Sequence, residues 1–274
     1  MKRSCSLLVA TDLDGTLLGP GEAFTGEART FLQKLVSLGA LVVPVTAKSV
    51  WEIVVVWREV LGLAGEPLIA IAESGGAIYA PPGTLRSPTG YESELNLEYV
   101  EIGARLGEVE DAIDYVASAC QGFRRLSKAG PLEASRITGL PPGRAAIAAK
   151  RRYLEVLWHP DQKCMEAAEA RALELRLYTH RSTRLLHVGA HGGKRRALER
   201  LLIEPWARDC KLLVAIGDMD ADEEMLEIAD IAVHVPSNPE KRPARPVYRI
   251  PSPLPAPHAI AWIVERILEP RLPL

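Results

Sequence analysis

The chain has 274 residues, enough for one large domain or two modest ones whose cores need no disulfide or metal staples. Hydrophobic residues make up 47% and charged residues 25%, a balance that argues against a disordered or membrane-embedded protein. The formal net charge of -2 supplies no overall basic field, so nucleic acid and anionic membranes are not expected partners.

The first 80 residues alternate between short apolar runs and helical patterns. Buried-strand runs at 6–11, 41–46 and 68–72 are separated by one helix that starts at Thr25 and another that starts at Ser49. Strands separated by helices of this length predict right-handed crossovers and a parallel sheet.

The pattern changes after a break at residues 81–83, and the buried-strand rhythm returns at residue 185. We interpret this as a Rossmann-like α/β core made of both chain ends, residues 1–83 and 186–274, with an inserted α+β domain at 84–185. The later predicted elements are helices at 108–120, 132–139, 142–151 and 161–175, strands near 97–102, 153–158, 185–188, 212–216, 231–235 and 247–250, and a final helix at 258–269.

The four cysteines, at positions 5, 120, 164 and 210, are far apart and form no Cys-x-x-Cys pair. This spacing predicts free thiols and neither a zinc site nor a disulfide framework, as is typical of a reducing cytoplasm. The apolar stretch at 6–10 is too short for a signal peptide or a spanning helix. We therefore expect a cytoplasmic protein without membrane attachment.

Two acidic residues, Asp12 and Asp14, directly follow the first predicted strand in the segment Asp12-Leu13-Asp14-Gly15-Thr16. Ligands bind at this end of the strands in open parallel sheets. Two carboxylates with one residue between them can share a divalent cation, and Gly15 lets the backbone turn sharply. An ordinary Asp-Gly turn is the alternative, but the position after the strand favours a functional site.

A second acidic cluster, residues 217–222, follows the predicted strand at 212–216 in the same way. Alone it would be interpreted as a solvated acidic loop. Together with the first pair, Asp218 and Asp222 predict a shared site of oxygen ligands, for which Mg²⁺ is the expected ion.

Thr46 and Lys194 complete the candidate site. Thr46 ends the second predicted strand and places a hydroxyl at the same sheet edge, while Lys194 begins a helix after two glycines. Either residue could be incidental by itself. Their order along the chain, on successive strand ends, favours a site that binds a phosphoryl group.

These residues together resemble the four motifs of the haloacid dehalogenase (HAD) superfamily. The insert is similar in position to the large α/β cap of the branch that contains Cof-type, sucrose-phosphate and mannosyl-phosphate phosphatases. Three further segments are similar to the mannosyl-3-phosphoglycerate phosphatase family: Thr46-Ala47-Lys48-Ser49 with Glu52-Ile53, Glu73-Ser74-Gly75-Gly76-Ala77-Ile78, and Thr138-Gly139-Leu140 followed by Ala145, Ala148, Arg151, Tyr153 and Glu155.

The resemblance implies a covalent route in which Asp12 attacks phosphorus, and Asp14 protonates the leaving alkoxide and then activates water. It implies that Thr46 and Lys194 bind the phosphoryl oxygens. Metal binding falls to Asp12, Asp14 (through its backbone carbonyl), Asp218 and, through water, Asp222.

The resemblance also implies substrate contacts at or near the insert. Cationic side chains suit a substrate carboxylate, although the run at 150–152 could equally be a solvated helix end. His187 and His191 are interpreted as loop or pocket residues and not as metal ligands. The candidate substrate-binding residues are Lys48, Ser74, Gly75, Gly76, Arg151, Arg152 and Glu155.

The leading functional hypothesis is hydrolysis of a small phosphorylated glycoside, 2-O-mannosyl-3-phosphoglycerate, to the compatible solute mannosylglycerate and phosphate. Another sugar-phosphate phosphatase, of the sucrose-phosphate or Cof type, and a phosphomannomutase are the enzymatic alternatives. A third alternative is a catalytically silent sugar-phosphate binding module, favoured only by Met219 and Ala221 beside the last acidic motif. The residues carry no prediction of oligomeric state.

Overall fold

The structure is a computed structural model that describes residues 7–19, 24, 26–37, 39–182, 184–218, 220–235 and 248–249. Thr25, Met219 and the predicted helix at 258–269 lie outside these residues. The strands are β1 (Leu7–Thr11), β2 (Ala40–Pro44), β3 (Ala70–Ala72), β4 (Ala77–Ala80), β5 (Gly90–Glu92), β6 (Leu97–Glu101), β7 (Arg124–Arg125), β8 (Leu154–Trp158), β9 (Tyr178–Arg181), β10 (Leu186–Gly189), β11 (Leu213–Gly217), β12 (Ile231–His234) and β13 (Tyr248–Arg249).

The helices lie between groups of these strands, and α2 continues as a π-helical turn over Val56–Val60. They are α1 (Gly26–Ser37), α2 (Val50–Val55), α3 (Glu110–Ala117), α4 (Pro131–Thr138), α5 (Pro142–Ala148), α6 (Gln162–Glu174), α7 (Gly193–Leu202), α8 (Pro205–Arg208) and α9 (Glu223–Leu226). None of the described helices is both long and apolar enough to cross a membrane.

A parallel sheet in the order β13-β12-β11-β1-β2 forms the centre of the molecule. Its strands come from both ends of the chain, which confirms the predicted α/β core with a Rossmann-like parallel sheet. β1 lies between β11 and β2 and is buried along its whole length. The carboxyl ends of β1, β2 and β11 therefore meet at one edge, as expected for parallel neighbours.

A second sheet, antiparallel and in the order β3-β4-β6-β5, packs against this core. Tyr79 and Tyr99 from this sheet belong to the same hydrophobic cluster as Leu7 and Val9 of β1. The predicted third parallel strand, β3, pairs antiparallel with β4 and joins β2 only through a parallel bridge between Val45 and Ile71. The predicted parallel pairing of this strand is thus limited to that one bridge, and its ladder is the antiparallel one with β4. The break at 81–83 is a turn inside this second sheet.

The third sheet, in the order β7-β8-β10-β9, is called here the cap sheet. One of its faces packs under α3 and α6 through Val116, Leu157 and Met165, and α4 and α5 form a second cluster with Val156. The run at 185–188 was expected to be a core strand, but β10 is an antiparallel partner of β8 and β9. That expectation is wrong because an apolar run indicates only that the strand is buried. It does not indicate which strands are its neighbours or whether they pair parallel or antiparallel.

The prediction of free thiols is also wrong. Cys120, just after α3, forms a disulfide with Cys164 of α6, and Cys210 is disulfide-bonded as well. The two helices of the cap sheet's outer layer are thus joined covalently. No short spacing in the sequence signals this pair, because its members are 44 residues apart.

Removing the Cys120–Cys164 disulfide is expected to lower the free energy of unfolding by about 2–4 kcal/mol, because the bond constrains a long loop in the unfolded chain. Thermal unfolding of the native protein and of a Cys120→Ala/Cys164→Ala double variant measures this difference. Under a strong reductant the two proteins should melt at the same temperature. Identical melting of both proteins without reductant would contradict the expectation.

Candidate active site

Asp12 lies at the carboxyl end of β1, and its backbone N–H donates to the carbonyl of Ile216 in β11. Its carboxylate is buried and accepts a hydrogen bond from Lys194 Nζ at 2.8 Å. The same ammonium donates to Asp222 at 2.6 Å. The hydrogen bond between Lys194 and Asp12 therefore joins two segments that are 182 residues apart in the sequence.

Three acidic side chains meet at this point. One carboxylate oxygen each from Asp12, Asp218 and Asp222 lies within 4.8 Å of the others, and all three residues are buried. Thr16 donates to Asp218 at 3.0 Å, and Gly15 adopts a φ of 82° directly against that carboxylate. A Cβ on Gly15 would collide with Asp218, so glycine is required both for the turn and for this approach.

The electrostatics of the cluster favour a cation. Burial raises the pKa of Asp12 to about 8, with Lys194 opposing the rise and Asp222 and Asp218 adding to it. Burial, followed by repulsion from Asp222, likewise raises the pKa of Asp218 to about 7. Lys194 keeps a raised pKa, because its acidic neighbours outweigh the cost of burial. Crowded, buried carboxylate oxygens are the donor set that a hard divalent cation prefers, so the residues fit Mg²⁺.

Asp222 differs from the other two members of the cluster in its hydrogen bonds. One of its oxygens accepts from Lys194, and the other accepts from the backbone N–H of Asp218 at 3.0 Å. Both oxygens are thus already engaged within the protein. This geometry suits a residue that orients Lys194 and Asp218 more than one that binds a metal directly.

The Asp14 side chain lies outside the three-carboxylate cluster, although its charge contributes to raising the pKa of Asp218. The Asp14 side chain is 59% exposed and pairs with Lys48 at 3.0 Å. Lys48 is buried, and its Nζ also lies 4.0 Å from Glu52. The exposed position lets a substrate reach the Asp14 carboxylate, while Lys48 holds it at the rim of the site.

Thr46 follows the end of β2 and is 1% exposed. Its backbone N–H donates to Ile71, and its hydroxyl accepts the N–H of Lys48 at 3.3 Å. The predicted helix start at Ser49 is confirmed, with the complete capping box that Glu52 forms. The loop between β2 and α2 is therefore closely fixed, and it holds Thr46 at the same edge as Asp12.

The predicted substrate residues Ser74, Gly75 and Gly76 lie in the tight turn between β3 and β4. Gly75 has a φ of 102°, and a Cβ there would collide with the carbonyl of Gly193 at the start of α7. A Cβ on Gly76 would collide with Tyr153. The two glycines therefore allow close packing beside Lys194 and present no side chain of their own.

The three insert candidates lie in different surroundings. Arg151 donates to the carbonyl of Ala47 at 2.6 Å and so joins the cap sheet to the Thr46 loop. Arg152 pairs with Glu92 and lies over the ring of Trp51, 4.9 Å from its centroid.

Glu155, in contrast, is buried within the cap sheet. It accepts hydrogen bonds from Arg125 at 3.0 Å and from the N–H of Ser127 at 3.0 Å. Its carboxylate is thus used inside the cap sheet and is not brought to the site. The sequence placed it correctly on a strand but could not show which partner it would meet.

Several residues near the site were missed or only partly identified from sequence. Among the described residues, buried polar atoms without a hydrogen-bond partner include His187 Nδ1 and His191 Nε2, and the Tyr178 hydroxyl lies beside Ser74. Burial lowers the pKa of His191 to about 4 and holds the pKa of His187 well below its usual value. Both imidazoles are therefore neutral near pH 7. Only the strand register, with Gly189 opposite Tyr178 and His187 opposite His180, could have revealed this group.

The chain is 43% identical over 269 residues to a mannosyl-3-phosphoglycerate phosphatase of Aeropyrum pernix, covering 97% of this chain and 96% of the relative. It is 28% identical over 235 residues to a glucosyl-3-phosphoglycerate/mannosyl-3-phosphoglycerate phosphatase of Persephonella marina, covering 84% and 85% of the two chains. No protein-family model matches the chain.

Solved structures share the fold. A haloacid dehalogenase-like hydrolase from Bacteroides thetaiotaomicron superposes with a TM-score of 0.66 at 19% identity, covering 93% of this chain and 98% of the other. One from B. subtilis gives 0.65 at 17% identity, with coverages of 95% and 99%. A sugar phosphatase of HAD subclass IIB gives 0.58 at 14% identity, with coverages of 83% and 86%. At these identities the likeness concerns the fold alone.

Proposed function

The chain belongs to the mannosyl-3-phosphoglycerate phosphatase family and is a phosphoric monoester hydrolase, and from this premise we propose that it converts 2-O-mannosyl-3-phosphoglycerate to mannosylglycerate and inorganic phosphate. The observation that carries the proposal is the identity to the Aeropyrum pernix enzyme along nearly the whole chain. The glucosyl analogue is a second candidate substrate, since the Persephonella marina relative is named for both sugars.

Asp12 is the proposed nucleophile. Its free oxygen attacks phosphorus in line with the leaving alkoxide, forming an aspartyl-phosphate as the bond to the glycerate oxygen breaks. Lys194, which already contacts the Asp12 carboxylate, and Thr46 donate hydrogen bonds to the phosphoryl oxygens, where negative charge accumulates. Water then attacks phosphorus, which releases phosphate and restores the Asp12 carboxylate.

Asp14 is the proposed acid and base. Its exposed carboxylate takes up a proton from solvent before the first step and gives it to the alkoxide, and in the second step the carboxylate takes a proton from the attacking water. Its exposed carboxylate is suited to this exchange, and the ammonium of Lys48 at 3.0 Å holds it in place. We therefore assign Lys48 to the positioning of Asp14 in addition to its expected contact with substrate.

Mg²⁺ is the proposed cofactor, held by the side chains of Asp12 and Asp218 and by the backbone carbonyl of Asp14. When bound, it neutralises the charge that keeps a carboxylate away from an anionic phosphate ester. The raised pKa values of Asp12 and Asp218 support this assignment, because they express the cost of burying the carboxylates and, after it, their mutual repulsion, both of which a bound cation would offset. Asp222 keeps Lys194 and Asp218 oriented.

We propose that the catalytic core consists of the two chain ends and that the inserted segment acts as a cap that selects the substrate. The expected boundaries were 84 and 185. The packing of the second sheet on the core and the pairing of β10 in the cap sheet support a later start and a later end for the cap. The cap then comprises the cap sheet with α3 to α6.

The wall that the cap offers to the sugar contains neutral donors and acceptors. His187 and His191 supply unpartnered buried polar atoms, which a polyhydroxylated ligand can pair, and the Tyr178 hydroxyl lies beside Ser74. Arg152, with a 30% exposed side chain, is the candidate for the glycerate carboxylate. The substrate is a charged metabolite that does not cross a bilayer, which supports a cytoplasmic location.

The test measures phosphate release, with and without Mg²⁺, from the mannosyl and glucosyl glycerate phosphates, from hexose phosphates and from sucrose-phosphate. We expect kcat/KM for at least one glycerate glycoside to exceed that for the hexose phosphates by about 10²-fold, because hydrogen-bonded sites reject ligands that leave their polar groups unpaired. Chelation of Mg²⁺ should abolish release, and added Mg²⁺ should restore it.

Other outcomes identify the alternatives. Faster turnover of hexose phosphates or sucrose-phosphate would refute the substrate and leave the phosphatase class intact. Interconversion of hexose 1- and 6-phosphates without net phosphate release would indicate a mutase. A native protein that hydrolyses no phosphate ester, aryl phosphates included, would be a binding module.

A further inference from the structure

Glu73, on the turn after β3, is a fully buried carboxylate that reaches out of the core to the cap sheet. It accepts the backbone N–H of Arg152 at 3.0 Å, of Tyr153 at 2.8 Å and of Leu154 at 2.8 Å. These amides belong to the start of β8 and the residues just before it. A single core side chain thus satisfies three consecutive donors of the cap backbone, and such charge-assisted bonds are strong.

The backbone around Glu73 is strained. Glu73 and Ser74 have φ values of 52° and 54°, in the left-handed region that side chains other than glycine rarely adopt, and Gly75 follows at 102°. Such a conformation is energetically unfavourable for a residue other than glycine, and it persists only where the surrounding contacts hold it in place. With this backbone conformation the Glu73 carboxylate reaches the three N–H groups at the start of β8.

The same turn holds the catalytic loop of the core. The N–H of Glu73 donates to the carbonyl of Lys48 at 2.9 Å, and the N–H of Ser74 donates to the carbonyl of Thr46 at 2.8 Å. On its other side the turn packs at Gly75 against the carbonyl of Gly193, one residue before Lys194. The position of the turn therefore sets the positions of Thr46 and of the helix that carries Lys194.

A second contact reinforces the same junction. Arg151 donates to the carbonyl of Ala47 and lies 3.6 Å from Glu52, so it also joins the start of β8 to the loop after β2. Burial raises the pKa of Glu73, and the charge of Arg151 together with the three amides opposes this rise. The side chains of Arg151 and Glu52 are both buried, and they meet where the start of β8 contacts the loop after β2.

We propose that Glu73 is a positioning residue that fixes the start of β8 on the turn holding Thr46 and the Lys194 helix, so that the cap closes over the phosphoryl site in one orientation. The inference rests on the proposed function in one respect, the choice of 2-O-mannosyl-3-phosphoglycerate as the test substrate that needs the cap. The hydrogen bonds described for the Glu73 carboxylate go to the backbone N–H groups of residues 152–154, and none of them goes to the acidic cluster. Glu73 therefore affects catalysis indirectly, by fixing the position of the backbone at residues 152–154.

The experiment compares Glu73→Gln with Glu98→Gln. Glu98 is a matched control, because it is a buried carboxylate that accepts three consecutive backbone N–H groups, those of Gly83, Thr84 and Leu85, within the second sheet. Both variants should lose similar thermal stability. Two substrates are used: 2-O-mannosyl-3-phosphoglycerate, which needs the cap, and 4-nitrophenyl phosphate, which presents mainly its phosphoryl group.

For Glu73→Gln we expect kcat/KM for the glycoside phosphate to fall by about 10–100-fold, and that for the aryl phosphate by about threefold or less. Amide hydrogen exchange in residues 151–155 should accelerate. For Glu98→Gln, both kinetic constants and exchange in that segment should match the native protein. Glu73→Asp, which keeps the charge but shortens the reach, should show the same split to a smaller degree and covers the case in which Glu73→Gln fails to fold.

The positioning role is wrong if Glu73 variants lose activity equally on both substrates, or if Glu98→Gln reproduces the selective loss. A native protein that cleaves the aryl phosphate but not the glycoside phosphate would refute the proposed substrate alone. In that case faster exchange at 151–155 in Glu73→Gln, together with native exchange in Glu98→Gln, still supports the role, and unchanged exchange refutes it.

Discussion

Asp12→Asn is expected to lower kcat by about 10⁴-fold or more, because the amide cannot attack phosphorus and no covalent intermediate forms. The fold should survive the change. Lys194 keeps its hydrogen bond to Asp222 in this variant, so its buried ammonium is not left without an acidic partner. Thermal melting of the variant and of the native protein, measured without Mg²⁺, checks that both are folded.

The matched control for this variant is Asp230→Asn. Asp230 accepts the N–H of Leu213 at the start of β11, the end of the sheet remote from Asp12. It should lose some stability and keep the native kcat. Phosphate release at saturating substrate and Mg²⁺ measures both variants, and native activity in Asp12→Asn would refute the nucleophile assignment.

Asp14→Asn is expected to lower kcat by about 10²–10⁴-fold and to leave phosphate trapped on Asp12. With an aryl phosphate the leaving group needs no proton, so the first step proceeds. The second step then lacks a base to activate water, and the intermediate accumulates. The exposed position of Asp14 predicts that the variant folds normally.

Rapid acid quenching followed by intact mass measurement detects the trapped phosphoryl group, and the release of aryl alcohol should show a burst of about one equivalent per protein. The Asp12→Asn/Asp14→Asn double variant should show neither. Normal steady-state turnover in Asp14→Asn would contradict its role as acid and base.

The disulfide bears on the expected location of the protein. Free thiols were expected from the wide cysteine spacing, yet Cys120 and Cys164 are bonded. Disulfides are rare in most cytosolic proteins, but intracellular proteins of hyperthermophiles are an exception. The disulfide therefore removes the cysteine spacing as an argument for a reducing compartment, and the proposed cytoplasmic location rests on the charged substrate alone. The disulfide also braces the layer that covers the cap sheet.

The sequence by itself determined the parallel core and the residues at its active edge. Asp12, Thr46 and Asp218 follow buried strands, and the carboxyl ends of parallel neighbours share one edge, so order along the chain was enough to predict their meeting. Lys194 was predicted at a helix start, and the structure places it between Asp12 and Asp222. Local patterns carry this information because strand ends and helix starts are local features.

The tertiary structure alone decided how the remaining strands pair and which distant partners the buried charges meet. β3 and β10 look like parallel core strands in the sequence, but their ladders are antiparallel, and β3 keeps only one parallel bridge among the described residues, between Ile71 and Val45. Glu155 turned inward to Arg125, whereas Glu73 turned outward to the cap. Each of these outcomes depends on contacts between segments far apart in the chain, and no local pattern of hydrophobicity or charge records such contacts.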